Sequence, residues 1–333
     1  MKALLSRATG GPETLEIGEL DKPEPKPGEV VVAVKACAIN YPDVLMIVDK
    51  YQFKPERPFA PGGEVAGVID AVGEGVEGFA QGDRVIALSG NGGLAEYVAA
   101  PLRSVFAMPE DVGFEDASAL LLTYGTTIHA LQDRGELKEG ETLLVLGAAG
   151  GVGLSAVEIG KAMGARVIGA VSSEEKAQAV RDAGADDVLI YPRGPFDKDG
   201  QKALSQQFKD AVGPNGADVI YDAVGGDYCE PALRSIAWEG RYLVIGFPAG
   251  IPKLPLNLTL LKSCDVRGVF WGAFAARDPQ HNAANIAALF AMWKAGKIQP
   301  KVTEIFAFEQ GGEAIARLGD RKAIGKLVVR IAD

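Results

Sequence analysis

The run Leu143-Leu144-Val145-Leu146-Gly147-Ala148-Ala149-Gly150-Gly151-Val152-Gly153 limits the folds open to this chain more than any other segment. Four apolar residues in a row read as a buried strand. Val152, Ala156, Ile159 and Met163 then recur at the spacing of one helix face, so the glycines stand at a strand-to-helix turn. Such a turn lets the main chain approach a pyrophosphate, whose charge the free amides and positive dipole end of the helix stabilise. The spacing departs from G-x-G-x-x-G at Ala148, and glycines here also serve close packing of helix on strand. Dinucleotide binding is the favoured expectation, with Gly150, Gly151 and Val152 at the phosphates.

Further apolar runs over 166–171, 187–191, 218–224, 241–247 and 265–270 alternate with helical spacing. With 142–146 they predict six strands in a parallel, doubly wound sheet, because parallel neighbours need long crossovers. Upstream the pattern differs: short β-branched runs over 29–34, 64–72, 84–88 and 96–99 are punctuated by glycine and proline. After a helix carrying Ile286, Leu289, Phe290 and Trp293 and closed by Gly296, strand signals return near Ile305 and over 327–331. The expected class is therefore α/β. A β-rich domain of residues 1–122 and 262–333 is interrupted by a nucleotide-binding domain of residues 123–261.

Charge and composition exclude several roles. Thirty-four Lys and Arg against 44 Asp and Glu leave a net charge of −10 and a pI near 4.9, a poor starting point for neutralising phosphate backbone. No nucleic-acid partner is expected. Cys37, Cys229 and Cys264 are scattered and make neither a disulfide framework nor a zinc cluster, which suits a reducing cytoplasm. Residues 1–34 lack the apolar core of a signal peptide, and the nearly uncharged stretch 143–157 is too short and glycine-rich for a membrane span.

The end of the second strand bears on coenzyme choice. An NAD fold places a carboxylate about 20 residues beyond the glycines, to bind the ribose diol. Here the run is Ala170-Val171-Ser172-Ser173-Glu174-Glu175-Lys176. Ser172, Ser173 and Lys176 offer two hydroxyls and an ammonium to a 2′-phosphate, so NADPH is expected over NADH. Glu174 and Glu175 weigh mildly the other way unless they face solvent or cap the next helix.

In order along the chain, several short motifs resemble one family. They are Gly10-Gly11-Pro12-Glu13, Ile39-Asn40 with Asp43, Pro61-Gly62-Gly63-Glu64 with Ala66-Gly67, Gly82-Asp83-Arg84-Val85, the glycine turn, Tyr221-Asp222-Ala223-Val224-Gly225 and Gly325-Lys326-Leu327. The chain resembles the zinc-independent quinone oxidoreductase (zeta-crystallin-like) branch of the medium-chain dehydrogenases/reductases. That resemblance implies a GroES-like β domain joined to a Rossmann domain with the active site in the cleft between them, and a homodimer formed through the edge strand near 265–270. Zinc-dependent relatives place a cysteine where this chain has Asn40 and a histidine where it has Gly63, so no metal is expected; His129 and His281 lie far from those positions in sequence.

The implied chemistry is hydride delivery from NADPH to a quinone or an α,β-unsaturated carbonyl compound, the protein supplying position and a donor to the developing negative charge. By resemblance Asn40 contacts the nicotinamide and acceptor, and Tyr51 either offers its phenol to the acceptor oxygen or merely packs. Further cofactor contacts carried over are Thr127 at a helix start, Tyr191 beside the 2′-phosphate, Ala223, Gly246, Phe247, Phe270, Trp271 and Arg321. Phe270 and Trp271 serve equally well as core or interface aromatics. An enoyl-thioester or enone reductase, and a non-catalytic NADPH-binding protein, are the alternatives.

Overall fold

The computed structural model describes residues 1–332. The chain divides into two compact units, one of Met1–Leu122 with the residues from Pro300 on, the other of Thr123–Gln299.

The first unit is built around one long strand. After the antiparallel pair β1 (Lys2–Leu5) and β2 (Glu16–Glu19) comes β3 (Glu29–Ile39), which pairs antiparallel with β4 (Glu64–Val72) on one edge. β5 (Arg84–Leu88) continues from β4, β6 (Tyr97–Pro101) takes part of the other edge of β3, and β7 (Val105–Ala107) pairs with β5. The sequence of β3, E-V-V-V-A-V-K-A-C-A-I, is apolar at nearly every position because both its faces are covered. Val30, Val32, Val34 and Cys37 join the main core, while Ala36 and Ala38 pack with Ala119 and Val328 on the opposite side.

The second unit contributes β8 (Thr142–Leu146), β9 (Arg166–Val171), β10 (Asp187–Ile190), β11 (Ala217–Asp222), β12 (Ile236–Val244) and β13 (Asp265–Gly268). All neighbours run parallel, in the order β10-β9-β8-β11-β12-β13. Counted from β8 this is the 3-2-1-4-5-6 arrangement of the Rossmann fold, and the order reverses beside β8. The helix Gly151–Ala162 crosses from β8 to β9, and Glu174–Asp182 from β9 to β10. Two expected strands, 218–224 and 241–247, run past the true ends of β11 and β12. Their surplus residues are apolar because the two following loops are laced together, Ala249 N–H donating to the Val224 carbonyl at 2.9 Å and Gly226 N–H to Gly250 at 2.7 Å.

The expected return to the first domain at residue 262 is corrected to residue 300. β13 completes the parallel sheet, and the helices Trp271–Arg277 and Pro279–Lys294 stay with it, Ile286 and Leu289 buried. Only then do β14 (Val302–Phe306) and β15 (Lys326–Arg330) rejoin the first sheet, β15 lying antiparallel to the end of β3.

Candidate functional site

The turn after β8 shows what each glycine does. Gly147 has φ of 70°, and a Cβ at Gly153 would lie 2.2 Å from the Gly147 carbonyl oxygen and 2.7 Å from the Ala148 backbone. Gly153 thus lets the helix begin directly against the strand end. Gly150, by contrast, has room: a Cβ there would meet only the Gly147 carbonyl oxygen, at 3.6 Å. It is the N-cap of the helix Gly151–Ala162 and brings no side chain to the first-turn amides. Gly151 and Val152 follow, half-exposed. An uncapped helix N-terminus with no side chain over it, at the carboxyl edge where the strand order reverses, fits the diphosphate of a dinucleotide.

At the end of β9, Ser172, Ser173 and Lys176 are half-exposed and close in space. Ser173 is an N-cap whose Oγ accepts from the Lys176 backbone N–H at 3.3 Å, which sets the start of the next helix. Glu174 turns to Arg181 on the surface at 2.6 Å, and Glu175 is exposed. Tyr191 follows β10, its backbone N–H donating to the Val171 carbonyl at 2.9 Å. Its ring is buried against Tyr228 and Phe208, with centroids 5.1 and 6.3 Å away.

Ala223 and Gly246 sit at the ends of β11 and β12, and Phe247 is exposed just beyond. The turn between them hangs on Asp222. Its Oδ1 accepts from the N–H groups of Val224 and Gly225 at 2.8 and 2.9 Å, and its Oδ2 from the Tyr242 hydroxyl at 2.7 Å. Burial pushes the Asp222 carboxyl up, and those donors pull it back.

Thr127 corrects an expectation: it lies late in the helix Leu121–Ile128, not at its start, and is fully buried. Its hydroxyl is shared with Ser155 at 2.7 Å and Tyr221 at 2.9 Å. Phe270 is 47% exposed at the N-cap of Trp271–Arg277. Trp271 is a core aromatic, seated on Gly125 with its indole N–H donating to Asn282 at 2.8 Å.

The two histidines, distant in sequence, meet on one carboxylate. His129 Nδ1 is 2.8 Å from Asp133 Oδ2, and His281 Nε2 is 3.2 Å from Asp133 Oδ1. Phe274 stacks on the His129 ring at 3.9 Å, and Asn285 donates to Asp133 at 2.8 Å. The segment His129–Arg134 is a π-helical turn. No local pattern in the sequence announces this cluster, since its partners come from residues about 150 positions apart.

In the first unit, register brings three polar residues together at one end of β3. Leu327 pairs with Ile39, which sets Lys326 beside Asn40, and Glu64 pairs with Ala38. Lys326 Nζ donates to Asn40 Oδ1 at 2.6 Å and to Glu64 Oε2 at 3.1 Å; Asn40 Nδ2 donates to the same Glu64 oxygen at 2.9 Å. Glu64 Oε1 accepts the Leu122 backbone N–H at 2.9 Å. The side chains of Lys326 and Glu64 are 3% and 0% exposed. Asn40 is also the N-cap residue of the helix Tyr41–Ile47, where its backbone N–H donates to Asp43 Oδ2 at 2.8 Å and the other Asp43 oxygen accepts from Gly62 N–H at 2.9 Å. Burial raises the Asp43 carboxyl to about 6.

Tyr51 is half-buried beside Phe53, with ring centroids 6.0 Å apart. Burial first and the charge of Asp43 second push its phenol up. Arg321 follows the helix Gly311–Gly319 at φ of 58°, where its charge works against the rise that burial gives the Tyr41 phenol.

A catalytic zinc does not fit here. Asn40 and Gly63 are not metal ligands in this setting, and a buried ammonium already neutralises Glu64. Among the described residues no group of three or more His, Cys, Asp or Glu is disposed to hold a metal ion.

Comparison with known proteins agrees with this geometry. Residues 26–110 match the alcohol dehydrogenase GroES-like domain, and residues 151–289 match the zinc-binding dehydrogenase domain. The quinone oxidoreductase-like protein 2 homolog of Nematostella vectensis is 37% identical over 305 residues, 90% of this chain and 81% of the relative. The human quinone oxidoreductase is 32% identical over 316 residues, 94% of this chain and 92% of its own. Among solved structures, the Escherichia coli quinone oxidoreductase complexed with NADPH superposes with a TM-score of 0.90 at 28% identity, covering 99% of this chain and 100% of that one. A mycobacterial protein complexed with NADPH gives 0.91 at 31% identity, with 99% of each chain covered. The chain belongs to the quinone oxidoreductase family of the medium-chain dehydrogenases/reductases.

Proposed function

We propose that the protein is an NADPH-dependent reductase that transfers hydride, without a metal, to a quinone or a related conjugated carbonyl compound. The observation that carries this reading is the glycine turn, whose open helix end meets the carboxyl edge of the sheet beside the point where strand order reverses. When bound, NADPH supplies the hydride. The chain's residues do the rest. First-turn amides from Gly150 to Val152 hold the diphosphate, and Ser172, Ser173 and Lys176 hold the 2′-phosphate, with Tyr191 fixing the neighbouring strand end. Thr127, Ala223, Gly246, Phe247 and Phe270 shape the remainder of the cofactor site, with Trp271 supporting Phe270 from the core and Arg321 a further contact.

Asn40 keeps one carbonyl lone pair beyond that given to Lys326, and it is the proposed contact to the nicotinamide and acceptor. Tyr51 stays protonated at neutral pH because burial and the Asp43 charge both disfavour its phenolate, so it can donate a hydrogen bond to the oxygen on which negative charge develops.

We also infer a homodimer through β13. This strand is the sheet's edge, and Val266 upon it and Leu256, Leu260 and Leu261 in the segment leading to it are exposed. Sedimentation of purified protein at twice the monomer mass is the expected result; a monomer at micromolar concentration removes the inference.

The main test is titration with NADPH and NADH, then turnover of quinones and, separately, of enoyl thioesters and enones, followed at the coenzyme absorbance. Binding with preference for NADPH and reduction of quinones are expected. Absence of any coenzyme binding by folded protein ends the proposal, while turnover confined to enoyl thioesters moves it to double-bond reduction.

A further inference from the structure

Tyr221 and Asp222 are consecutive residues at the carboxyl end of β11, and neither has a part in the site just proposed. Successive strand residues project to opposite faces of a sheet. Here the two faces lead to two different parts of the cofactor site.

On one face, the Tyr221 hydroxyl lies 2.9 Å from Thr127 Oγ1. Thr127 is 2.7 Å from Ser155 Oγ, and Ser155 donates to the Val152 carbonyl at 3.0 Å. A chain of buried hydroxyls therefore ties the end of β11 to the first turn of the glycine helix. All three hydroxyl-bearing residues are fully buried, so removing one group leaves a neighbour short of a partner.

On the other face, the Asp222 carboxylate holds Val224, Gly225 and Tyr242, as described above. Its main-chain carbonyl also accepts from Ile245 N–H at 3.0 Å and Gly246 N–H at 3.4 Å. One residue thus sets the start of both loops that carry Ala223, Gly246 and Phe247. Gly225 makes this possible, with φ of 68°, and a Cβ there would lie 2.6 Å from that of Phe247.

We propose that Tyr221 and Asp222 are positioning residues for the nicotinamide half of the cofactor, acting through Thr127 and through the laced loops after β11 and β12. The assignment to that half rests on the functional reading above and on topology. A Rossmann sheet consists of two mononucleotide-binding halves; the end of the second strand serves the adenosine ribose, which leaves strands four to six to the other nucleotide.

The test separates the two halves with one probe each. Tyr221→Phe, Asp222→Asn and Tyr242→Phe are titrated with NADPH and with adenosine 2′-monophosphate, which carries the 2′-phosphate and neither a diphosphate nor a nicotinamide. Tyr221→Phe and Asp222→Asn are each expected to weaken NADPH binding about tenfold, one hydrogen bond's worth, while the monophosphate stays within about twofold of the parent. Tyr242→Phe, which removes one donor to the same carboxylate, is expected to follow in the same direction and carries the Asp222 arm if Asp222→Asn does not fold. Equal weakening of both ligands, or of neither, in variants that keep the parent's unfolding midpoint overturns the positioning role. Failure of the parent itself to bind NADPH overturns the functional reading, and this role with it.

Discussion

The polar cluster at the end of β3 and the glycine turn at the end of β8 handle buried polarity in opposite ways. In the first, a charge from β4, a charge from β15 and the amide that follows β3 satisfy one another: Glu64, Lys326 and Asn40 complete a network with little left over. In the second, helix amides are left without a side-chain cap, and the neighbouring glycines keep them uncovered. A closed network contributes chiefly to the fold, and an open one to a ligand. The contrast predicts that damage to the first shows mainly in stability, and damage to the second mainly in binding.

Lys326→Met gives the largest expected effect. It leaves Glu64 buried without its counter-charge, a loss of about 3–5 kcal/mol in urea unfolding, with adenosine 2′,5′-bisphosphate affinity unchanged in the folded fraction. A loss below about 1 kcal/mol would show that the network is solvated.

Asp43 comes next. Its carboxyl is raised from 3.8 to about 6, so the folded state binds its proton more tightly than the unfolded chain does. The corresponding stability is complete below pH 3.8 and is lost as the pH rises through 6, a decline of about 3 kcal/mol. Unfolding free energies measured from pH 4 to 7 for the parent and Asp43→Asn check this; identical slopes would contradict it.

Gly153→Ala reverses the balance between the two regions. A Cβ 2.2 Å from the Gly147 carbonyl forces the helix away from the strand, which costs about 1–3 kcal/mol and is expected to abolish coenzyme binding before it abolishes folding. The smallest effect is that of Lys176→Ala: the KM for NADPH should rise about tenfold and that for NADH should barely move. Equal rises for both coenzymes would remove the 2′-phosphate assignment.

How much of this was legible in the sequence follows from the range of each signal. The strand, turn and helix around Gly147 are local, and 142–146 and 166–171 are where β8 and β9 lie. The Ser172-Ser173-Lys176 grouping was also local, since it spans one helix cap. Strand ends blurred where loops pack on loops, as at Val224 and Ala249, because apolar residues there continue the strand pattern beyond the ladder. The boundary at 262 failed for a similar reason: nothing between 262 and 299 marks a change of partner sheet until β13 is seen paired with β12. Lys326 was visible within a short motif, yet its contact with Asn40 spans 286 positions and rests on the register of β15 with β3. Asp222 was visible too, but a lone acid closing a strand does not reveal that five donors converge on it.

The meeting of His129 and His281 on Asp133 has a consequence for how the second unit is fastened. These are the chain's two imidazoles, and each has a ring nitrogen on the same carboxylate. That carboxylate therefore clips the π-helical turn His129–Arg134 to the helix Pro279–Lys294, so two elements far apart along the chain would come loose together if Asp133 were lost.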